Sequence, residues 1–298
     1  MKIKDCLEDF KTHLQADGKS NLTIRAYLRD LEMLLEWLPE DTSTEDITVD
    51  QLNCFLTSDK VRLLNGSNKE RSLSSVNRLK SSLKTFFGWL EETARIERDP
   101  TMKIKMKKSN GKHPQILTKE EVKDLLSSIK SSGDGVRDYT IFNLLLNTGL
   151  RVSELCSLKV EDVRDKENLQ LTVRKSKDLS PIPLNPTIKQ DLKRFLKWKE
   201  KQGEAISDDS PLFISQKKNP ISPVTVWYSL KKWLPCAGIT KNISPHSLRH
   251  TFGTFAYQYK RDIRTTQSLL GHSSISSTMI YTHLTDKMRE ETVNNLGY

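Results

Sequence analysis

SPHSLRHTFGTFAYQYKRDIRTTQSLLGHSSISSTMIYTH, residues 244–283, is the stretch from which the fold of this chain is best predicted. Ser244 can cap a helix through its hydroxyl, and Pro245 suits the first helical position. The spacing predicts that this helix buries an apolar stripe formed by Leu248, Phe252 and Phe255. A second amphipathic segment follows, and Gly271 stands where that helix would end.

Four side chains of the same stretch could act together on a phosphate. His246 and Arg249 are three residues apart, which places both on one face near the start of the predicted helix. His272 follows Gly271 directly, and Tyr281 comes nine residues later. Taken singly, a histidine or tyrosine in such a place is usually a cap or a packing residue. The combination favours a site in which two imidazoles and a guanidinium bind a phosphate that a phenol attacks.

Length and charge limit the classes of protein to which the chain can belong. Its 298 residues suit about two domains, and its formal net charge of +10 favours a polyanionic partner. We therefore expect a nucleic-acid-binding protein, although a basic composition alone also fits a protein without such a partner.

Cysteine spacing and hydropathy point away from several other classes. No apolar run is as long as a membrane span, and the segment MKIKDCLEDF is typical of a helix start and not of a signal peptide. The cysteines have no metal-binding spacing, so we expect a reducing cytoplasm and neither a metal nor another cofactor. They are Cys6, Cys54, Cys156 and Cys236.

Residues 1–102 predict a small bundle of amphipathic helices. Thr48 and Gln51 form the capping box of one helix, and a longer helix carries an apolar stripe from Val76 to Leu90. The surface of this domain is rich in basic residues, among them Lys69, Arg71, Arg78, Lys80 and Lys84. Such a face is either simply solvated or in contact with DNA backbone, and the sequence leaves both readings open.

Residues 103–114, KIKMKKSNGKHP, break the helical pattern and predict a linker between two domains. The segment is rich in lysine and includes Lys105, Lys107 and Lys108. A basic linker between basic domains suggests a clamp that closes around a duplex. A solubilising hinge without DNA contact is the simpler alternative.

The second domain, residues 115–298, begins with a capping box at Thr118. An apolar helix over 139–146 ends in an Asn-Thr-Gly sequence, and Arg151 follows where the next helix begins. Because an unpaired buried charge is very costly, Arg151 requires an anion or many hydrogen bonds. Glu154 could be that partner, in which case the pair would only stabilise the turn.

Residues 169–184 alternate in polarity and predict a β-hairpin, with Lys175 and Lys177 in its turn. A lysine at a hairpin tip can enter a DNA groove, although an exposed turn lysine without such a role is common. A very basic helix is predicted over 186–201, and a short final helix over 285–296.

These residues occur in boxes that resemble those of the tyrosine recombinases, also called the phage integrase family. TGLRVSEL (148–155) resembles the first arginine box, HSLRHTFGT (246–254) the HxxR box, and LLGHSSISSTMIYTH (269–283) the final histidine and tyrosine box. TVRKSKDLSPIPL (172–184) resembles the hairpin that carries the catalytic lysine, and SNLTIRAYLRDLEMLLEWL is similar to the helical core-binding domain. The resemblance covers nearly the whole chain, and the layout is similar to that of Xer-like recombinases, which lack an arm-binding domain.

The resemblance implies a mainly α fold, with a SAM-like helical core-binding domain and a mixed α-helical catalytic domain that contains a small antiparallel β-hairpin. It also implies six catalytic residues, which are Arg151, Lys175, His246, Arg249, His272 and the nucleophile Tyr281. Family hairpins often place glycine on both sides of the lysine and an arginine further on. Here Arg174 and Ser176 flank Lys175, and Ser180 stands at the arginine position. Lys177 therefore remains the rival for the catalytic lysine, and Arg174 and Lys177 are further candidates for DNA contact.

The implied activity is site-specific recombination of double-stranded DNA through a 3′-phosphotyrosine, with religation at the same site and no need for ATP or metal. The implied partners are inverted-repeat half-sites and other copies of the chain, as a dimer on each site and a tetramer in the synapse. The final helix would then dock on a neighbouring subunit, or else pack on its own domain. A type IB topoisomerase-like nicking enzyme and a catalytically silent DNA-binding protein are the alternatives. The sequence does not identify the DNA site, a partner recombinase, or the choice between dimer resolution and transfer of a mobile element.

Overall fold

Two compact units, Met1–Gly111 and Lys112–Tyr298, make up the chain. The structure is a computed structural model that describes residues 1–64, 68–107, 114–132, 135–169, 181–271, 275 and 278–282. Among these residues, no helix is both long and apolar enough to cross a lipid bilayer.

Helices form the first unit, and the described ones are α1 (Leu7–Ala16), α2 (Asn21–Leu35), α3 (Val49–Thr57), α4 (Asp59–Arg62) and α5 (Leu73–Glu92). The capping box of α3 is confirmed, because the Gln51 N–H donates to the Thr48 hydroxyl at 3.2 Å and the Thr48 N–H donates to Gln51 Oε1 at 2.9 Å. Helix α4 was not predicted, since four residues are too few to show a helical period.

The core of the first unit combines aliphatic side chains with a cluster of aromatic rings, and α2 packs against both α1 and α5. Phe10 of α1 lies edge-on to Phe86 of α5 at 5.1 Å between ring centroids and 5.3 Å from Trp89. Burial of such large apolar side chains is a main source of stability for a small helical domain. Ile104 also lies in this core, so the beginning of the segment predicted as a linker packs on the first unit.

The described helices of the second unit are α6 (Lys119–Lys130), α7 (Val136–Thr148), α8 (Val152–Cys156), α9 (Pro186–Lys201), α10 (Pro223–Cys236), α11 (Pro245–Lys260) and α12 (Ile263–Leu270). Helix α7 is central, because Ile141, Leu144 and Leu145 are almost completely buried and α6, α9 and α11 pack around it. Helix α6 starts at Thr118, whose hydroxyl accepts from the Glu121 N–H as the predicted capping box requires. Since α7 is buried on several sides, the residues at its C-terminal end, Thr148 and Gly149, lie inside the unit.

A small antiparallel sheet accompanies these helices. Strand β1 (Asn168–Leu169) pairs with β2 (Ile182–Pro183), with Leu169 opposite Ile182. Both of these side chains are buried in the core of the second unit. The mainly α fold with a small antiparallel sheet is therefore confirmed, whereas the turn of the predicted hairpin lies outside the described residues.

Helix α11 starts, and helix α12 ends, where the sequence predicts. The Ser244 hydroxyl caps α11 by accepting from the Ser247 N–H at 3.2 Å, and α12 ends at Gly271 in the left-handed region with φ of 61°. The predicted apolar stripe of α11 is only partly correct, because Leu248 is buried but Phe252 and Phe255 are half-buried. The buried part of α11 faces α7, α12 and Tyr281, and it therefore includes Arg249, Thr251, Gly253 and Thr254.

Candidate active site

Gly149 brings the end of α7 into close contact with α11 and α12. Its φ of +64° ends the helix in the left-handed conformation that glycine adopts most readily. A Cβ at this position would lie 2.4 Å from Cδ1 of Phe252 and 2.9 Å from Cδ2 of Leu270. The site therefore depends on a residue without a side chain at this junction.

Arg151 is the residue immediately before α8, and it is tied to Glu154. The Glu154 carboxylate accepts from the Arg151 main-chain N–H at 2.8 Å and from Nη1 at 2.9 Å. Nη2 reaches the carbonyl oxygen of Gly271 at 3.5 Å. The Arg151 side chain nevertheless stays 43% exposed, so the pair with Glu154 does not remove this guanidinium from the surface of the site.

Arg249 is only 1% exposed and joins two helix ends. Nη1 donates to the carbonyl oxygen of Gly149, and Nη2 donates to that of Leu270, each at 2.6 Å. Carbonyls at a helix C-terminus have no partner within their helix and carry the negative end of the helix dipole. The cation is therefore held by the ends of α7 and α12, with Oε2 of Glu154 4.0 Å from Nη1.

His246, in the first turn of α11, is exposed, although its ring contacts that of His250. Partial loss of water around the imidazole lowers its pKa from the usual value, and the positive charges of Arg249 and Arg151 lower it further. The lowered pKa favours the neutral form of the His246 imidazole. A neutral imidazole can accept a proton, as a general base must.

Tyr281 packs against α11 with no exposed surface. Its ring centroid lies 5.7 Å from that of His250, and its Cζ would lie 2.5 Å from a Cβ built on Gly253. Burial raises the pKa of the phenol to about 12, while Arg249 and Arg151 act in the opposite direction. The two guanidiniums thus favour the ionised phenolate, although burial dominates in this structure.

The structure brings four of the six predicted catalytic residues into one region, namely Arg151, His246, Arg249 and Tyr281. The other two, Lys175 and His272, lie outside the described residues, as do Arg174, Lys177, Lys108 and the predicted final helix. Within the described part of the chain, no cluster of three or more His, Cys, Asp or Glu side chains could hold a metal ion.

Three of the basic residues predicted to bind DNA have protein partners in the first unit. Arg78 forms a bidentate pair with Asp30, and Arg71 donates to the carbonyl oxygens of Val61 and Leu63 at 3.0 and 3.3 Å. Lys80 Nζ donates to the carbonyl oxygen of Lys105 at 3.0 Å. Lys69, Lys105 and Lys107 are exposed, and Lys84 is half-buried.

Two residues of this region were not singled out from the sequence, and both carried a signal. His250 follows His246 by four residues, the spacing at which side chains meet on a helix face. Gly253 lies inside a helix, where glycine costs about 1 kcal/mol relative to alanine and therefore suggests a close approach. Neither signal identifies Tyr281 as the neighbour, because the contact spans a long sequence separation.

Comparison with known proteins identifies the family of both units. Residues 115–288 match the phage integrase family, and residues 7–94 match the phage integrase N-terminal SAM-like domain. The chain belongs to the phage integrase family, as its sequence boxes predict.

Relatives match nearly the whole chain and most of their own length. The tyrosine recombinase XerA of Pyrococcus furiosus is 38% identical over 297 residues, which cover 97% of this chain and 93% of that protein. The tyrosine recombinase XerC of Caldanaerobacter subterraneus subsp. tengcongensis is 35% identical over 315 residues, covering 99% of this chain and 87% of that protein. The similarity therefore extends over both units.

Solved structures show the same fold. The crystal structure of XerA recombinase is 26% identical with a TM-score of 0.52, and 99% of each chain is covered. The structure of XerH site-specific recombinase bound to palindromic difH substrate, a post-cleavage complex, has a TM-score of 0.74 at 23% identity. That match covers 96% of this chain and 83% of the XerH chain.

Proposed function

We propose that the protein is a site-specific DNA recombinase that cuts and rejoins DNA through a 3′-phosphotyrosine. The observation that carries the proposal is that Arg151 and Arg249 act on both the phenol of Tyr281 and the imidazole of His246, with His250 in ring contact with both. Relatives with 35–38% identity over almost the entire chain are tyrosine recombinases. This supports recombination over the topoisomerase-like alternative, which would use the same chemistry.

The proposed reaction is an attack of the Tyr281 oxygen on a DNA phosphate. The new bond joins that oxygen to phosphorus, and the bond from phosphorus to the 5′ oxygen breaks, which leaves a 3′-phosphotyrosine and a 5′ hydroxyl. His246 accepts the phenol proton, and Lys175, with Lys177 as its rival, protonates the leaving oxygen. Religation runs the same steps backwards, since the ester bond is conserved, so neither ATP nor metal is required.

Arg151 and Arg249 are assigned to the nonbridging phosphate oxygens. Guanidinium groups donate to such oxygens in bidentate fashion, and their charge offsets the extra negative charge of the phosphorane. His272 is assigned as a further donor. Because Tyr281 is fully enclosed in this structure, its phenol has to move relative to α11 before it can reach a phosphate.

The two units suggest how the enzyme holds its DNA. We assign residues 1–102 as the core-binding domain, 103–114 as a basic linker and 115–298 as the catalytic domain, which together clamp inverted-repeat half-sites of double-stranded DNA. The residues assigned to DNA contact are Lys69, Arg71, Arg78, Lys80, Lys84, Lys105, Lys107, Lys108, Arg174 and Lys177. Strand exchange requires four cut ends, so the proposed assembly is a dimer on each site and a tetramer in the synapse. The enzyme is assigned to the cytoplasm.

The test is covalent trapping on a nicked duplex that loses its 5′ fragment after cleavage. Duplexes selected from a random pool by binding to the protein supply the site. Wild-type protein and Tyr259→Phe, which alters an 85% exposed tyrosine of α11, should form the adduct, whereas Tyr281→Phe should bind DNA without forming it. An adduct with Tyr281→Phe contradicts the assigned nucleophile. Relaxation of supercoiled DNA that lacks the selected site would favour the topoisomerase-like alternative.

A further inference from the structure

One face of α11 carries three residues that line up beside Tyr281. His246, His250 and Gly253 follow one another by four and then three residues, so they form a continuous row along the helix. His246 is the base of the proposed reaction and Tyr281 is its nucleophile. His250 has no role in the chemistry set out above, although it lies between these two residues.

The His250 ring contacts both partners. Its centroid lies 4.5 Å from that of His246 with the planes at 76°, an edge-to-face arrangement, and 5.7 Å from that of Tyr281 with the planes at 53°. Aromatic rings favour such tilted and edge-on geometries over parallel sandwiches. A change in the His250 ring would consequently alter the packing of both the base and the nucleophile.

Gly253 extends the same row by permitting a close approach. A Cβ at this position would lie 2.5 Å from Cζ and 2.7 Å from Cε1 of Tyr281, distances that a real Cβ essentially never shows. Gly88, which also lies inside a helix, has no atom within 4 Å of its Cβ position. The Tyr281 ring thus fills the space that a side chain at position 253 would occupy. At Gly88 this space is open, so no neighbouring residue requires a glycine there.

We propose that His250 is a positioning residue for DNA cleavage, which orients His246 and Tyr281 through ring contacts and is assisted by Gly253. This inference rests on the proposed function. His250 acts through its two neighbours and does not itself bond to the phosphate. The expected loss on removing the ring is about tenfold to a hundredfold in cleavage rate, because small misplacements of reacting groups have effects of that size.

The pH profile separates positioning from a purely structural role. Among the described residues, the charged and titratable groups that face His246 are Arg249 and His250 on α11 and Arg151 before α8, and partial burial is the largest cause of its lowered pKa. Removal of the His250 ring admits water to His246, so the pKa of His246 should rise towards its usual value. Since cleavage needs the neutral imidazole, the acidic limb of the rate profile should move to higher pH.

The experiment measures single-turnover cleavage of the nicked duplex at saturating DNA from pH 5 to pH 9. His250→Ala should be slower by about tenfold to a hundredfold with a shifted acidic limb, and His250→Phe, which restores a ring, should recover both the rate and the limb. His13→Ala is the matched control, because His13 stacks on Trp89 at 5.8 Å in the first unit. It should cleave at the wild-type rate.

Gly253→Ala provides a second variant, with Gly88→Ala as its control. The added methyl group should displace the Tyr281 ring and change the cleavage rate by at least about tenfold, whereas Gly88→Ala should leave the rate unchanged. Half-site binding and thermal unfolding of every variant show whether it is folded.

Three outcomes decide the proposal. It is overturned if His250→Ala has the wild-type cleavage rate and the wild-type acidic limb of the pH profile. It is also overturned if folded His250→Ala and His250→Phe lose the same factor in cleavage rate. If wild-type protein itself forms no adduct, the proposed function fails and the inference falls with it. If wild-type protein forms the adduct and His250→Ala cleaves at the wild-type rate, only the positioning role is overturned.

Discussion

Arg78 in the first unit and Arg249 in the second both lie against a packed core, and different groups stabilise them. Arg78 of α5 forms a bidentate pair with Asp30 of α2, whose carboxylate is itself buried, and its Nη2 lies 2.9 Å from Oδ1. Arg249 of α11 donates to two main-chain carbonyl oxygens at 2.6 Å each, and the carboxylate of Glu154 is at 4.0 Å.

The difference in partners distinguishes Arg78, which pairs with a carboxylate of its own unit, from Arg249, which is proposed to bind a phosphate. A carboxylate in direct contact offsets much of the charge of a guanidinium, whereas carbonyl dipoles mainly fix its position. Arg249 lowers the pKa values of both His246 and Tyr281, and Arg151 does so as well, although it is paired with Glu154. The positive potential is thus retained where a phosphate is proposed to bind. The pair of Arg78 with Asp30 joins α5 to α2, and the Arg78 side chain stays 41% exposed for the proposed DNA contact.

The largest expected effect is on the cleavage rate, when Arg249 is replaced by lysine. Arg249→Lys keeps the charge but cannot make bidentate contacts, so cleavage at saturating DNA should slow by about 10²–10³, equivalent to about 2.7–4 kcal/mol of barrier. Arg78→Lys in the same single-turnover assay should remain within about threefold of wild type, because lysine keeps a positive charge for Asp30 and for the proposed DNA contact, and saturating DNA compensates for weaker binding. Equal losses in the two variants would contradict the distinction.

The complementary test removes Arg78 and measures stability. Arg78→Ala leaves the carboxylate of Asp30 buried without this partner, and the free energy of unfolding should fall by about 2 kcal/mol. This value is below that for a fully buried pair, because the Arg78 side chain is 41% exposed. Urea unfolding of the full chain measures the change.

The controls for Arg78 use the same two helices. Arg25→Ala removes an exposed arginine of α2 and should change stability by less than about 0.5 kcal/mol. Adding Asp30→Asn to Arg78→Ala should recover part of the loss, because the buried charge is then gone. Stability that is unaffected by Arg78→Ala would show that the pair contributes little to the first unit.

Alkaline pH tests the burial of Tyr281 in the second unit. The phenol ionises near pH 10 in the unfolded chain but only at about 12 in the folded one, so between these values the unfolded chain releases a proton that the folded chain keeps. Stability should therefore fall as pH rises through this window. At pH 11 the loss relative to pH 9 should be about 1.4 kcal/mol larger for wild type than for Tyr281→Phe. Identical pH dependence of the two proteins would show that the phenol is hydrated in solution.

The smallest effects on stability are expected at the helix caps, which are built in the same way in both units. Thr48 and Thr118 cap α3 and α6 in the same way, so Thr48→Ala and Thr118→Ala should each lower the free energy of unfolding by about 1 kcal/mol. Thr48→Ser and Thr118→Ser retain the hydroxyl and should be close to wild type. A much larger loss at one position would indicate that its helix has a tertiary role beyond the local cap.

Features that depend on neighbours in the sequence could be predicted. The capping boxes at Thr48 and Thr118, the cap at Ser244 and the helix end at Gly271 are each encoded within about four residues. The family could be recognised for a related reason, since its boxes are short segments in a fixed order. Four of the residues proposed for catalysis then meet in the structure, although they come from three separate boxes.

The sequence by itself determined most of the helical segments, several of their ends, and the polar residues to which the proposed chemistry is assigned. Only the tertiary structure decided that the buried face of α11 packs on helix ends and on Tyr281, so that Phe252 and Phe255 are half-buried. It also decided that Arg249 is held by carbonyls of α7 and α12 while Arg78 is paired with Asp30. The physical reason is that these partners are 21 to 100 residues apart in sequence, so local propensity and periodicity carry no record of the contact.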